Sequence, residues 1–243
     1  MVSAIKDASQ RATSRLINNA LKEGRSSLLE HEAEQFAKHY GIPVPKAGLA
    51  KSESEAVALS HKIGFPLAMK IISPKILHKT DIGGVRLGVD TTSEVKRAFA
   101  EIIRNAKKVT DKSSINGVYL QKMAEKSHEF VVGGIRDPQF GPTVMFGMGG
   151  IFVELFRDVT FRLAPVTLGD AHEMTHEIRA APLMYGFRGG RPLDSVSAAR
   201  AIQSVGRMMA ENEQIESIDI NPLIVYKRGA LAVDVRIILR KQN

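Results

Sequence analysis

Pro66-Leu-Ala-Met-Lys-Ile-Ile-Ser-Pro-Lys-Ile-Leu-His-Lys-Thr-Asp-Ile-Gly-Gly-Val85 is the stretch whose reading decides the fold. Pro66–Ile72 is an apolar run of strand length that carries one charge, Lys70. A lysine inside such a run either snorkels to water at a sheet edge or meets an anion, and a phosphate oxygen is a good partner. The polar loop from Ser73 to Gly84 follows directly, with His78, Lys79 and Asp81 before the pair Gly83-Gly84. A glycine pair lets backbone N–H groups approach phosphate closely. His78 in that setting reads as a proton carrier, a nucleophile toward phosphorus, or a simple loop histidine. Val85, Leu87 and Val89 then alternate as a strand.

Toward the N-terminus, Ser52 and Glu55 have capping-box spacing and open a helix that stops at Gly64. Pro43 and Pro45 lead into a short strand near Ala47–Ala50. Ser27 and Glu30 have the same box spacing, ahead of an apolar stripe of Leu29, Ala33, Phe36 and Tyr40, with Gly41 placed to end the helix. Residues 3–22 read as a docking helix: Ile5, Ala8, Ala12, Leu16 and Ala20 recur at helical spacing, with Arg11, Arg15 and Lys22 making one side basic. Toward the C-terminus, Thr91 and Glu94 cap a helix running to about Lys108. Val118–Met123 is a strand expected to lead into a second lobe. His128–Arg136, the turn Asp137–Pro142, Thr143–Phe146, Gly147–Gly150, Ile151–Leu155 and Val159–Leu163 continue an antiparallel pattern. Helices are expected at about 170–179 and 197–212. A hairpin of Ile218–Tyr226 and Ala230–Leu239, turning at Arg228-Gly229, closes the chain.

The 243 residues are 44% hydrophobic, enough for a sizeable core, and no apolar run approaches the ~18 residues of a membrane span. No secretory signal is visible, and cysteine is absent, which excludes disulfide and thiolate chemistry and fits a cytoplasmic protein. The net charge of +8 makes acidic partners plausible, from nucleic acid to nucleotides, CoA or an acidic subunit. With 6% aromatics and no Trp there is little for bases to stack on, which favours phosphate ligands over nucleic acid.

In the closing hairpin, Asp219 and Asn221 leave one strand on the same face. A two-residue loop at Arg228-Gly229 would set Arg236 opposite Asn221 and Asp234 opposite Leu223, gathering Asp219, Asn221, Asp234 and Arg236 on that face. Such oxygens suit Mg²⁺, which takes one or two carboxylates and fills its shell from substrate phosphates. The same spacing fits a solvated strand of mixed charge, and Pro222 could break the register with a bulge. Gln121-Lys122-Met123 sits between the lobes, where a backbone hinge could bond a purine edge with Glu129 near the ribose. Phe146-Gly-Met-Gly-Gly-Ile-Phe-Val-Glu154 is neither a Walker A loop nor a dinucleotide fingerprint.

Three blocks together resemble the ATP-grasp domain of NDP-forming acyl-CoA synthetases: Pro66–Val85, Asp137–Glu154 and Asp219-Ile-Asn-Pro-Leu223. They stand in family order and extend over about residues 27–239. Within that family the chain resembles the free-standing β subunits of ADP-forming acetate–CoA ligases, since it carries its own Met1 and lacks CoA-binding and ligase modules. The resemblance implies an α+β, ATP-grasp fold of two lobes clamping a nucleotide after an N-terminal helical lead-in. The expected division is residues 1–25 as that helix, 26–120 as the first lobe with a phosphohistidine loop at 73–84, and 121–243 as the second lobe with the Mg²⁺ hairpin.

The implied reaction is acetyl-CoA + ADP + phosphate ⇌ acetate + CoA + ATP, run with a CoA-binding α subunit, as in an α2β2 assembly. Implied roles are Lys70 on phosphate, Gln121, Lys122 and Met123 at adenine, Glu129 at ribose, and Gly83-Gly84 by the phosphates or as a hinge. Asn221, Asp234 and Asp219 are implied to hold Mg²⁺, and His78 to carry the phosphoryl group to ADP. Arg162 and Glu154 are implied as phosphate-facing and supporting groups. Gln35 departs from the pattern, which has Lys there. The alternatives are a synthetase for aryl, branched or succinyl groups, a non-catalytic nucleotide-sensing subunit, and a nucleic-acid binder.

Overall fold

The computed structural model describes the backbone of residues 2–76, 78–150 and 158–240, with side chains from residue 9 onward. The chain divides into two compact units, Pro45–Glu125 and a larger one made of Met1–Val44 together with Lys126–Asn243. This differs from the expected division at two places. Residues 26–44 group with the C-terminal half, and residues 121–125, expected in the second lobe, group with the smaller unit. Among the described residues no helix is long and apolar enough to cross a membrane.

The first two helices, α1 (Val2–Lys22) and α2 (Glu30–His39), enter the larger unit. Along α1, Thr13, Ile17 and Ala20 are buried, one stripe at helical spacing. Gly24, at φ +69°, lets the chain turn out of the helix. The second helix starts two residues later than the Ser27–Glu30 spacing predicts. Leu29 is its N-cap residue, and Glu32 accepts from the Leu29 N–H at 2.8 Å. Glu32 also takes the Arg25 guanidinium at 2.7 and 3.0 Å. Ser26–Leu28 is recruited elsewhere, bonding as an extended segment to Ile237 and Leu239. Phe36 and Ala37 are fully buried on the inward stripe of α2. Phe36 stacks on Tyr40 at 5.4 Å. Desolvation of the Tyr40 phenol pushes its pKa up to about 12 against the opposing hydrogen bond from Asn212.

The smaller unit is a four-stranded antiparallel sheet with helices over one face. In chain order it runs β1 (Ala47–Ala50), α3 (Glu53–Ile63), β2 (Leu67–Ile72), β3 (Val85–Val89), α4 (Thr92–Ala106), a short 3₁₀ turn at Lys112–Ser114, and β4 (Gly117–Lys122). The spatial order is β1-β4-β2-β3. Both helices begin where the capping boxes predict: Ser52 accepts from Glu55 N–H and Thr91 from Glu94 N–H, each at 3.2 Å. Leu67, Met69 and Ile71 alternate toward α3 and α4, joining Val95, Ile102, Val118 and Leu120 in one core. Ala68, Lys70 and Ile72 therefore stand on the other sheet face.

The rest of the larger unit follows as β5 (His128–Asp137), β6 (Gly141–Met148), β7 (Val159–Leu163), α5 (Leu168–Glu177), α6 (Ala181–Tyr185), α7 (Ser195–Glu211), β8 (Ile215–Val225), β9 (Ala230–Ala232) and β10 (Val235–Leu239). The sheet order is β10-β8-β5-β6-β7, with β9 beside β8. Phe130, Val132, Val144, Phe146, Ile218 and Ile220 fill one face beneath α7 and α5. Where α7 crosses β5, Gly134 leaves room: a Cβ there would meet Met209 at 2.7 Å. Both ends of α7 are tied to the sheet. Arg136 of β5 donates to the carbonyls of Met209 and Asn212 at its C-terminus and of Ile215 at the start of the next strand. Asp194 accepts from Ser197 N–H at its N-terminus and from Gly229 N–H of the closing turn. Burial acts to raise the Asp194 pKa, but these N–H groups outweigh it and hold the carboxyl below its ordinary value.

Two stability predictions follow from this packing. Gly117 has φ +141°, and a Cβ there would lie 2.4 Å from the Ala50 carbonyl oxygen, whereas Gly229 at φ +83° has open space around it. Urea unfolding should therefore show Gly117→Ala losing more than about 3 kcal/mol and Gly229→Ala about 1 kcal/mol. Asp194→Ala should cost about 1–2 kcal/mol at neutral pH. Because the folded carboxyl titrates below its unfolded value, its contribution is present above pH ~4 and lost as pH falls further. The gap between wild type and variant should close in acid, and a gap that stays constant to pH 2 would refute the assignment.

Candidate functional site

The closing hairpin turns one residue earlier than expected, with Tyr226 N–H bonded to the Gly229 carbonyl at 3.0 Å around Lys227-Arg228. The pairing accordingly slides by two residues: Arg236 lies opposite Asp219, and Asn221 N–H donates to the Asp234 carbonyl at 3.2 Å. An even shift preserves the face. Asp219, Asn221, Asp234 and Arg236 are all exposed on the side of the sheet away from α7, while Ile218, Ile220, Val235 and Ile237 point into the core. Pro222 does introduce the bulge: Asn221 and Pro222 together oppose Val131 where β8 meets β5. Beyond it Leu223 and Val225 return to the core.

Desolvation raises the Asp219 pKa, and the charge of Asp234 adds to the rise, with Arg236 acting the other way. Two mutually destabilising carboxylates beside an amide oxygen fit a divalent cation that would neutralise both. Among the described residues no group of three or more His, Cys, Asp or Glu gathers to cage a metal. Mg²⁺ does not need such a cage, because it completes its octahedron from water and phosphate oxygens.

Glu129 is exposed on the same face, four residues along β5 from Gly133, which pairs with Asp219. The glycine-rich segment after β6 packs against it: Gly149 N–H donates to the Glu129 carbonyl at 2.8 Å, and a Cβ on Gly149 would stand 2.9 Å from that oxygen. Glu154 lies outside the described residues. Arg162 is not brought to this face. It pairs with Val144 across β6–β7, and Val144 is a core residue, so Arg162 points to the helix side. There Glu177 of α5 accepts from the Arg162 guanidinium and from the Thr160 hydroxyl. The Glu177 hydrogen bond keeps the guanidinium pKa above its usual value, and that same bond holds the Glu177 carboxyl below its own. Strand alternation alone shows no sign of this partner.

In the smaller unit, Lys70 is half-buried on the face away from the helices, beside Tyr119 in the β2–β4 register. Gln121 shares that face and is 1% exposed. The proposed hinge is heavily used by the chain itself. Lys122 N–H donates to the Lys46 carbonyl at 2.8 Å and Met123 N–H to the Pro66 carbonyl at 3.0 Å. The Lys122 ammonium donates to the Phe65 carbonyl.

The 73–84 loop is anchored at both ends, by Ile76 and Ile82 packed on the core and by Gly84. Gly84 N–H bonds the Lys79 carbonyl at 2.7 Å, and a Cβ on Gly84 would come within 2.7 Å of Ile71. Gly83, at φ +65°, has its carbonyl held by the Asn105 amide at 3.2 Å. The glycine pair is thus bonded within the loop and to α4. His78 is exposed between these anchors, and Leu77 lies outside the described residues.

Residues 19–239 match the family described as the ATP-grasp domain. The chain belongs to the ATP-grasp family. This ATP-grasp chain is 46% identical over 224 residues to the acetate–CoA ligase [ADP-forming] I subunit beta of Pyrococcus furiosus, covering 92% of this chain and 96% of that one. It is 43% identical to the 4-hydroxybutyrate–CoA ligase [ADP-forming] of Nitrosopumilus maritimus, covering 92% of this chain but 32% of that longer protein. An acetyl-coenzyme A synthetase of Ca. Korarchaeum cryptofilum, solved with coenzyme A, superposes with a TM-score of 0.89 at 49% identity, covering 94% of this chain and 100% of that one. Further structures of the Korarchaeum protein contain a phosphorylated phosphohistidine segment, and Mg-AMPPCP with that segment pointing towards the nucleotide binding site.

The helix-side position of Arg162 in this ATP-grasp chain is directly testable. Glu177→Gln should lower unfolding stability by about 1 kcal/mol, as partly exposed ion pairs do, and leave ADP affinity within about twofold. A tenfold loss of ADP affinity at unchanged stability would instead put Arg162 on phosphate.

Proposed function

We propose that this chain is the nucleotide-binding β subunit of an ADP-forming acetate–CoA ligase, working in the cytoplasm with a separate CoA-binding subunit in an assembly such as α2β2. The observation that carries the reading is the Asp219, Asn221, Asp234 face: three oxygen donors, two on β8 and one between β9 and β10, two of them carboxylates that a cation would stabilise. The near full-length likeness to a free-standing acetate–CoA ligase β subunit supports acetyl-CoA as the substrate.

Asn221 and Asp234, with Asp219 beside them, would hold Mg²⁺, which supplies charge neutralisation on the nucleotide phosphates when bound. Lys70 presents a second cation to those phosphates. Glu129 serves the ribose, and Gln121, Lys122 and Met123 serve the adenine. The chemistry these groups must support is phosphoryl transfer, where catalysis is mainly positioning and charge stabilisation.

Inorganic phosphate attacks the acetyl carbonyl of acetyl-CoA in the partner subunit, expelling CoA thiolate and leaving acetyl phosphate. A histidine nitrogen of the partner then attacks phosphorus, and acetate departs. The His78 imidazole takes the phosphoryl group from that histidine, and the β-phosphate oxygen of ADP removes it to give ATP. The exposure of His78 on a loop fastened at both ends, and the phosphohistidine segment of the Korarchaeum relative, support this relay.

Three substitutions in the chain reconstituted with its CoA-binding partner test the reading. His78→Ala should keep Mg-ADP affinity within about threefold and lose at least about 10³-fold in ATP formation. Asn221→Ala and Lys70→Ala should each weaken Mg-ADP binding by about 10–100-fold. Normal turnover by His78→Ala would end the relay. The Nitrosopumilus relative favours one further comparison, ATP formation from acetyl-CoA against 4-hydroxybutyryl-CoA and arylacyl-CoAs. A preference for a larger acyl group would move the substrate without disturbing the nucleotide site.

A further inference from the structure

The α5 segment His172-Glu-Met-Thr-His176 places two imidazoles one helical turn apart. At i and i+4 they rise from the same helix face, the spacing by which an H-E-x-x-H helix presents two nitrogens to one metal ion. Their ring centroids are 4.9 Å apart. A metal about 2.1 Å from a ring nitrogen lies roughly 3.2 Å from that ring's centroid. Two such ligands at 90–110° then put the centroids about 4.5–5.2 Å apart. The observed spacing falls inside that span.

Two further features hold the pair ready. The His176 ring stacks on Tyr185 at 4.0 Å and 15°, which fixes it by its face and leaves the edge nitrogens open. Tyr185 is in turn fixed by the 2.7 Å bond between its hydroxyl and that of Thr175. His172 lines a groove of about 490 Å³ with Leu168, Gly169, Glu173, Val196 and Ala199, so space exists on its outer side. Among the described residues neither imidazole makes a side-chain hydrogen bond or ion pair, and Glu177 is occupied by Arg162 and Thr160.

We propose that His172 and His176 form a second metal site, chelating a borderline divalent ion such as Ni²⁺, Zn²⁺ or Cu²⁺ on the helix side of the larger unit. Imidazole donors select these ions over Mg²⁺, which prefers hard oxygen ligands. Hydrolysis is not part of the proposal. No third His, Cys, Asp or Glu joins the pair among the described residues, so the remaining coordination positions belong to water or to a partner's side chain. Occupancy would clamp one turn of α5, the helix whose Glu177 holds Arg162 and Thr160 of β7. The site shares no residue with the nucleotide set, so its test is independent of the proposed activity.

The experiment is calorimetric titration of the untagged, chelator-treated full chain with NiCl2, ZnCl2 and MgCl2, with thermal unfolding alongside. One Ni²⁺ should bind in the micromolar range and raise the unfolding temperature by about 2–4 °C, while Mg²⁺ leaves this site empty. His172→Gln and His176→Gln should each weaken Ni²⁺ binding by at least about tenfold, and His61→Gln should leave it intact. Absence of Ni²⁺ and Zn²⁺ binding to the wild-type chain overturns the proposal without recourse to any variant. Undiminished binding by the double variant overturns it as well.

Discussion

Alternation along β8 is the constraint on which the larger unit rests. Ile218 and Ile220 must face α7 for the core to close, and that obliges Asp219 and Asn221 to face the other way. Were the strand to slip by one residue, two polar groups would be buried and two isoleucines exposed. At about 25 cal/mol per Å² of apolar surface, plus the cost of an unpaired buried carboxylate, that slip is excluded by several kcal/mol. The oxygen donors are thus placed by the hydrophobic effect acting on their neighbours. The bulge at Asn221-Pro222 then lets Leu223 and Val225 rejoin the same core.

The smaller unit obeys the same logic with opposite charge. Met69 and Ile71 are claimed by the core under α3 and α4, so Lys70 between them is turned to the far face. In each sheet, then, the polar groups of the outer face occupy alternate positions on strands whose other positions are packed. Rigid strands hold such groups more closely than loops do, which matters for a reaction dominated by positioning.

Local chemistry was legible in the sequence and long-range pairing was not. The boxes at Ser52–Glu55 and Thr91–Glu94 were readable because both partners lie within one turn. Ser27–Glu30 has the same spacing and fails, because Ser26–Leu28 gains more by bonding Ile237 and Leu239, more than two hundred positions away. The shared face of Asp219, Asn221, Asp234 and Arg236 was readable, since a register error of two leaves it unchanged. The face of Arg162 was not. An isolated five-residue strand has no stated inside, and only pairing with Val144 supplies one. The grouping of α2 with the larger unit was equally hidden, because its amphipathic pattern does not say which core it completes.

That division has a consequence for how the protein is made. The larger unit is interrupted: 44 residues of it precede the smaller unit and the remainder follows. Phe36 and Ala37 therefore have no core to enter until β5–β10 have been synthesised, whereas Pro45–Glu125 holds all its strands in one continuous stretch. The inner unit can fold first and, once compact, bring the two flanking segments close. Closing a preformed module costs less chain entropy than closing a flexible loop of the same length. Biogenesis should accordingly proceed from the middle of the polypeptide outward, with the N-terminal helices as late arrivals that await their binding surface.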